Sequence, residues 1–463
     1  MRKIYNEISR KAALLIGCLF LFEACSLNVP PPDQFSDPDA ITDTGTARSL
    51  LASCYLSFPH YEYDFSVLGN DLCPTSLASK DLDELNVYNW QDKNISNLST
   101  SVWQDYYTCI SNCDVLLERI DNISTEDETD QQEKLAIKAE TQALKAMCYF
   151  DLLRIYATPY EDNPEGDGVV IKNMFGYESN KRSSKKECIG MIESLLNDAV
   201  TVDNNPKKNG WLSQTAIRYM LAETALYKGD YANATSLADE VIATCDDSQI
   251  SGNYALLWST SSFNGRIFAF NTSSSFYTAI EYDSNEGDYY ALNPEFTFVS
   301  TDVRKACTVY LKEMKGEERQ LLGKYNMMNK QGTSPTYINR MRYSGAYFIA
   351  AEAYARNNDN TKSRQRINHY LALAGADEIA ETCSGQDLID AILEEKYKEF
   401  VGEGSNWFDM KRTHAEALRL TTWGKSTSTR ISSSDYRWTF PIPASEYKYN
   451  DNITQNEHWG INR

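Results

Sequence analysis

Two segments of the 463-residue sequence set flat rings beside hydrogen-bonding side chains, a combination that could grip a sugar. They are Asn86-Val87-Tyr88-Asn89-Trp90-Gln91-Asp92 and the run carrying Tyr277, Tyr282, Asp283, Asn285, Asp288, Tyr289 and Tyr290. A pyranose has a face of C–H groups edged by hydroxyls, so it stacks on an indole or phenol ring while amides, carboxylates and hydroxyls bond its rim. The candidate glycan-binding residues are therefore Tyr88, Asn89, Trp90, Tyr277, Tyr282, Asp283, Tyr289 and Tyr290, with Trp258 beside Ser259 as a further ring. The competing use of each ring is to pin its own loop to the core. Ordering loops and side chains subtracts from the gain of shallow stacking, so micromolar or weaker binding is expected.

A second cluster holds groups capable of acid–base work: Glu395, Glu399, Glu403, Asp409, Lys411 and Arg412. Two carboxylates that converge on one glycosidic bond can hydrolyse it. The periodicity favours a structural reading, because Ile389, Leu393, Tyr397, Phe400 and Val401 define a core stripe and leave the charges to pair across the solvated face. Gly402 and Gly404 then turn the chain, and Trp407 and Phe408 are placed to plug the core. No G-x-S-x-G elbow or clustered Cys/His pair supplies a nucleophile, so no catalytic residue is assigned. The histidines His60, His369, His414 and His458 are isolated, with no H-E-x-x-H. Cys109 and Cys113 sit four apart on a helix and read as packing, and the nine cysteines other than Cys18 and Cys25 include no C-x-x-C pair. Neither a metal nor a cofactor is nominated.

The elements that must position these groups are mostly helices. With 42% hydrophobic residues the chain can bury a large core, and its formal charge of −20 repels nucleic-acid phosphates, so no nucleic acid is expected as a partner. Val102, Tyr106, Ile110, Cys113 and Leu117 recur at helical steps, as do Ala139, Ala143, Met147, Phe150 and Leu153, the second series ending at Pro159. Further helices are predicted over 46–56, 185–200, 213–228, 231–244, 342–356, 361–373 and 386–401. Residues 61–97 read as an irregular Tyr- and Asp-rich stretch, and 248–300 as loop and ribbon with a short strand over Ile267–Phe270. Loops fixed on a helical scaffold are where binding groups concentrate. Ala139-Glu140, Ala222-Glu223 and Ala351-Glu352 repeat inside helices rich in small residues, and two of them lead into turns at Gly229-Asp230-Tyr231 and Asn358-Asp359. The Gly229 to Ala234 run resembles the turn of a tetratricopeptide repeat, although spacings of 83 and 129 residues place long insertions between the helix pairs.

The first residues read as an address. Arg2, Lys3, Arg10 and Lys11 precede an apolar run from Ala12 to Phe22, the charge order and length of a secretory signal over 1–24 and too short for a membrane anchor. Ala24-Cys25 resembles a bacterial lipobox, which makes Cys25 the expected lipidation site, with acyl chains contributing about 0.8 kcal/mol per buried methylene. Pro30-Pro31-Pro32-Asp33 and Asp37-Pro38-Asp39 form a stiff tether over 25–40. The remainder, 41–463, reads as one domain.

Taken together, Cys25 with Leu27-Asn28 and the tether, Trp103-Gln104-Asp105-Tyr106, Asn112 and the Ala139 to Tyr156 helix resemble the RagB/SusD family of Bacteroidetes surface lipoproteins. The most specific stretch is Glu395 to Phe400, Glu403-Gly404, Trp407 to Arg412, Phe440-Pro441-Ile442-Pro443 and Gln455-Asn456. Lys396 stands where the family usually has arginine, and Ser405-Asn406 interrupts its common glycine-arginine-tryptophan order, which marks a divergent branch. The resemblance implies a mainly α fold: a SusD-like scaffold of tetratricopeptide-like helix pairs with long irregular insertions and a few short strands. It also implies a non-catalytic, lipid-anchored protein at the outer-membrane surface that passes glycans to a SusC-like TonB-dependent transporter. A peptide-binding lid of the same architecture is the alternative it leaves open; a glycoside hydrolase and a pure protein scaffold are the other readings.

Overall fold

The computed structural model describes residues 41–206, 210–248, 250, 254, 256–259, 265–271, 289–314, 316–324, 337–423 and 428–460. The expected signal, the tether, Cys25 and the candidate residues Tyr277, Tyr282 and Asp283 lie outside them.

The helices follow the apolar series. After α1 (Thr44–Leu56), α2 (Glu62–Leu68) and α3 (Leu82–Tyr88) come two long helices, α4 (Asp92–Ile120) and α5 (Glu128–Tyr156), packed as a hairpin with α1 across both. Then α6 (Lys185–Ala199) packs on α5 and on α7 (Gln214–Tyr227), which pairs with α8 (Tyr231–Ile242). Helix α9 (Tyr343–Arg356) lies against α8, pairs with α10 (Asn360–Ala374), and receives α11 (Gly385–Phe400); α12 (Ser405–Arg412) and α13 (Ala444–Tyr449) close the chain. The two turns singled out in the sequence are built alike. Gly229 at φ +81° and Asn358 at φ +62° take left-handed backbone, and the next residue, Asp230 or Asp359, caps the following helix by accepting from a backbone N–H three residues on.

The repeated Ala-Glu pairs have a physical reason. Glu140 and Glu352 are buried and Glu223 partly so, and each receives an arginine from elsewhere: Arg48 to Glu140 at 2.8 Å, Arg154 to Glu223 at 3.1 Å, and Arg412 to Glu352 through two bonds of 2.6 Å. The alanine beside it lets the neighbouring helix approach. Small residues and ion pairs therefore recur together as one packing device.

Among the described residues four two-stranded antiparallel ribbons decorate the helices. β1 (Leu72–Pro74) pairs with β3 (Tyr290–Leu292), and β2 (Arg266–Asn271) with β6 (Tyr337–Arg342). β4 (Val309–Met314) with β5 (Glu317–Leu322) is a hairpin rich in charge, and β7 (Ala417–Leu420) with β8 (Ser428–Ile431) is a second that sets Arg419 and Arg430 among small and apolar residues; neither has a clean apolar alternation to betray it. The strand expected at Ile267–Phe270 is present. The stretch 61–97 corrects its reading as irregular: it contains α2, α3 and the first turn of α4. Asp81 caps α3 by accepting from Glu84 N–H at 3.1 Å, and Trp90 at φ +54° breaks the chain before α4.

The C-terminal cluster also differs from expectation. Helix α11 buries Leu388, Ile389 and Ile392, and Glu399 lies on that same buried face rather than on a solvated one. A carboxylate tolerates this only when cations and hydroxyls fill its coordination. Glu399 accepts from Arg342 Nε at 2.8 Å, Ser344 at 2.7 Å and the Tyr370 hydroxyl, while Arg304 pairs with Asp302 and with Glu395, both at 2.7 Å. Gly402 and Gly404, at φ +77° and +75°, make the turn as expected. Trp407 is wholly buried against Phe65 and Phe440, the plug foreseen for it. Cys109 and Cys113 are buried with Cys54 and Cys148, and all nine described cysteines are free thiols.

Candidate functional site

Those of the sequence-chosen rings that lie among the described residues are core. Tyr88, Trp90 and Trp258 are fully buried, and Tyr289 and Tyr290 nearly so, which corrects their assignment as stacking platforms. Each has a specific cover. Trp90 donates its indole N–H to Leu68 O at 3.2 Å and meets Trp438 edge-on at 4.6 Å. Tyr88 lies under the Arg419 guanidinium at 4.6 Å and exchanges hydrogen bonds with the Leu420 backbone. Trp258 packs against Tyr254 and beneath Lys324 and Arg342. Tyr289 N-terminal to β3 and Tyr290 within it pack inward, the latter against Tyr63 and Tyr88. Asn89 is exposed, but its amide closes the end of α3 by donating to Leu85 O at 2.8 Å. Without a bare face these rings cannot stack on a sugar.

Bare rings stand elsewhere. Among the exposed large hydrophobics are Met174, Phe175, Tyr177 and Tyr449, with Tyr177 and Tyr449 exposed at 73% and 64%. Tyr177 and Tyr449 line a cleft of about 650 Å³ formed by one face of α4, the 170–180 loop and α13. That volume lies in the ordinary range of ligand sites. The α4 face contributes Thr100, Gln104, Thr108, Ser111 and Asn112 at three- and four-residue steps, opposite the buried stripe of Ile95, Val102, Tyr106 and Ile110.

The loop folds around the Glu178 carboxylate. Glu178 accepts from the backbone N–H of Asn173 at 2.9 Å and of Met174 at 3.3 Å, and from the amides of Asn173 and Asn180. Its slight burial pushes the carboxyl pKa up, but these donors outweigh it and hold the group below its usual range. Glu118 on α4 accepts from Phe175 N–H at 2.6 Å, which props the Met174-Phe175-Gly176-Tyr177 tip outward. The Tyr177 hydroxyl donates to Tyr449 O, and Asn450 donates to Asn180 O at 2.7 Å, tying the loop to the C-terminal segment. At the floor, Trp103 stacks obliquely on Tyr107 at 4.7 Å, and the Tyr107 hydroxyl donates to Val170 O at 2.7 Å. Burial raises the Glu446 pKa, against a hydrogen bond from Trp103 that opposes the shift. The lining is thus mostly uncharged: hydroxyls and amides, with Lys172, Glu178 and Glu446 as its ionisable members.

This arrangement can hold a neutral polyhydroxylated ligand by stacking and hydrogen bonding. The sequence carried a signal for it. An apolar tip, Met174 to Tyr177, stands in a polar segment without helical periodicity, and α4 shows Ser, Thr, Asn and Gln at helical spacing on its outer face. By contrast, the carboxylates at 395–412 are committed to fixed cations, and among the described residues no group of three or more His, Cys, Asp or Glu is placed to hold a metal ion.

Comparison with known proteins bears on the fold. The chain matches the profile of the SusD family over residues 309–459 and that of the family described as starch-binding, associating with outer membrane, over 54–209. Both profiles are of the SusD/RagB kind, one matching the N-terminal part of the chain and the other its C-terminal part. Its fold is similar to that of a SusD superfamily protein from Bacteroides thetaiotaomicron, at 21% identity and TM-score 0.74, covering 90% of this chain and 100% of that one. A SusD-like carbohydrate binding protein from Bacteroides vulgatus aligns at 17% identity and TM-score 0.74, covering 89% and 98%. A SusD superfamily protein from Bacteroides fragilis aligns at 19% identity and TM-score 0.72, covering 90% and 100%. No curated protein matches the sequence significantly. Among the described residues no helix is long and apolar enough to cross a membrane.

Proposed function

We propose that this protein is a non-catalytic glycan-binding component of the outer membrane, and that the cleft between α4, the 170–180 loop and α13 is where it holds its ligand. The observation that carries the reading is the pair of bare phenol rings, Tyr177 and Tyr449, set beside a row of hydroxyls and amides on α4. Likeness to a family described as starch-binding and to a SusD-like carbohydrate binding protein supports the cargo class. Attachment through a lipid on Cys25 and delivery to a SusC-like TonB-dependent transporter complete the proposal. Shallow stacking sets individual affinities at micromolar or weaker, and tethering beside a transporter raises effective concentration instead.

Affinity electrophoresis across a panel of neutral polysaccharides, with peptide digests titrated in parallel, tests the cargo. Retention by at least one polysaccharide, lost in Tyr177→Ala and Tyr449→Ala, is expected. Peptide binding with no polysaccharide retained would transfer the cleft to peptides, and sugar release that Glu399→Gln or Glu403→Gln abolishes would overturn the non-catalytic assignment. Cys25→Ala should release the protein from membranes; membrane retention of that variant without partner proteins would contradict the anchor.

A further inference from the structure

A second cleft of about 420 Å³ opens on the N-terminal turns of the same helix, between α4 and the segment that carries Trp459. We infer that the two clefts are subsites of one extended site, so that the ligand is a linear, uncharged glycan long enough to lie across both. The inference rests on the glycan reading of the first cleft.

Three observations carry it. First, the α4 face is continuous: Asn97 lines the second cleft and Thr100 the first, and they are one helical turn apart. Asn97, Thr100, Gln104, Thr108 and Ser111 succeed one another at three- or four-residue steps with no charge among them, in a chain of formal charge −20. At about 1.5 Å per residue this ladder of donors and acceptors is about 21 Å long. Second, the divide between the clefts carries small side chains. Helix α13 separates them, with Tyr447 on one side and Tyr449 on the other, but its first residues, Ala444 and Ser445, are small and exposed where a chain would cross. Third, the far cleft has a ring of its own. Trp459 is half-buried, fixed by donating its indole N–H to Thr439 O at 2.8 Å and by an edge contact with Tyr436 at 5.1 Å. A ring at each end and the neutral α4 row between them, with the opposite charges of Asp92 and Lys93 at the far margin, match a chain of linked sugars better than two unrelated small molecules. Two linked subsites also gain by effective concentration, which strengthens binding of long chains selectively.

The test is calorimetric titration of the intact protein with the polysaccharide retained in the gels and with its size-fractionated hydrolysate. Affinity should rise at least about tenfold between fragments that fill one cleft and fragments that span both. Trp459→Ala and the exposed Asn97→Ala should each remove most of that gain and leave the short fragments unaffected, and Ala444→Phe, which raises the divide, should do the same. Tyr449→Ala should weaken fragments of every length. Affinity that does not depend on length, or long-fragment binding untouched by both Asn97→Ala and Ala444→Phe, would overturn the extended site and leave the single cleft standing. Binding that survives Tyr449→Ala at every length would refute the cleft itself.

Discussion

Replacing Glu399 with glutamine isolates what the charged C-terminal motif does. The carboxylate is wholly buried and accepts from Arg342, Ser344 and Tyr370, with the Arg304 guanidinium 3.9 Å away. Both arginines are buried, at 2% and 0% exposure. Glutamine keeps the shape, but it removes the charge that compensates them and turns an amide N–H₂ toward donors. Breaking a buried pair in this way costs about 3–5 kcal/mol. With an unfolding entropy of about 2.1 cal/mol/K per residue over roughly 400 folded residues, that is a fall in Tm of about 4–6 °C. Differential scanning calorimetry at pH 7 reads it directly, with polysaccharide retention measured on the same sample and expected to be unchanged. Burial pushes the Glu399 pKa up, but Arg342, Arg304 and Lys324 outweigh it and leave it below its ordinary value. A depressed carboxyl contributes stability above its unfolded pKa and loses it as pH falls through the folded one. The gap between wild type and variant should therefore hold from pH 5 to 8 and close only below about pH 4.3. A Tm within about 1 °C of wild type, together with loss of glycan retention, would refute a structural role for the motif.

Other perturbations probe separate parts of the fold. Lys411→Met removes two hydrogen bonds, at 2.7 and 3.0 Å, to the carbonyls of Arg154 and Ile155 that close α5, and should cost about 1–3 kcal/mol, readable as a lower urea midpoint; an unchanged midpoint would show that water replaces the lysine. Burial first, then the charges of Asp64 and Asp81, raise the Glu84 carboxyl to about 8. A raised carboxyl stabilises fully below its unfolded pKa and loses that contribution as pH rises through the folded one. Glu84→Gln should thus leave Tm unchanged near pH 4 and raise it relative to wild type at pH 8–9, an equal difference at both pH values being the contrary result. Gly404→Ala should be markedly destabilising, because φ is +75° and a Cβ would stand 2.9 Å from the Glu62 backbone, whereas Gly385→Ala, at φ +60° with nothing within 4 Å, should cost less in the same melt.

The helices were legible because an apolar stripe at helical spacing has one energetically sensible use, and both capped turns, at Asp230 and Asp359, announce themselves by residue type alone. What escaped the sequence was whatever depends on partners far along the chain. Trp90 sits among Asn and Gln, which suggests exposure, yet its cover is Trp438, 348 residues later. Glu399 reads as one more surface charge until Arg342 and Arg304, brought in from a strand and a loop, are seen around it. The hairpin at 309–322 carries too many charges for alternation to show, and in the one at 417–431 a run of Ser and Thr breaks the apolar pattern. The candidate cleft was half legible: the neutral outer face of α4 is written at helical spacing, whereas the bare rings of Tyr177 and Tyr449 come together only through the clasp that Asn450 and Glu178 make.

A structure of the protein soaked with the polysaccharide fragment it retains addresses the central claim most directly. Sugar rings lying over Tyr177 and Tyr449, with their hydroxyls bonded to Gln104 and Thr108, are the expected result. Sugar bound on another face, with this cleft empty, would contradict it.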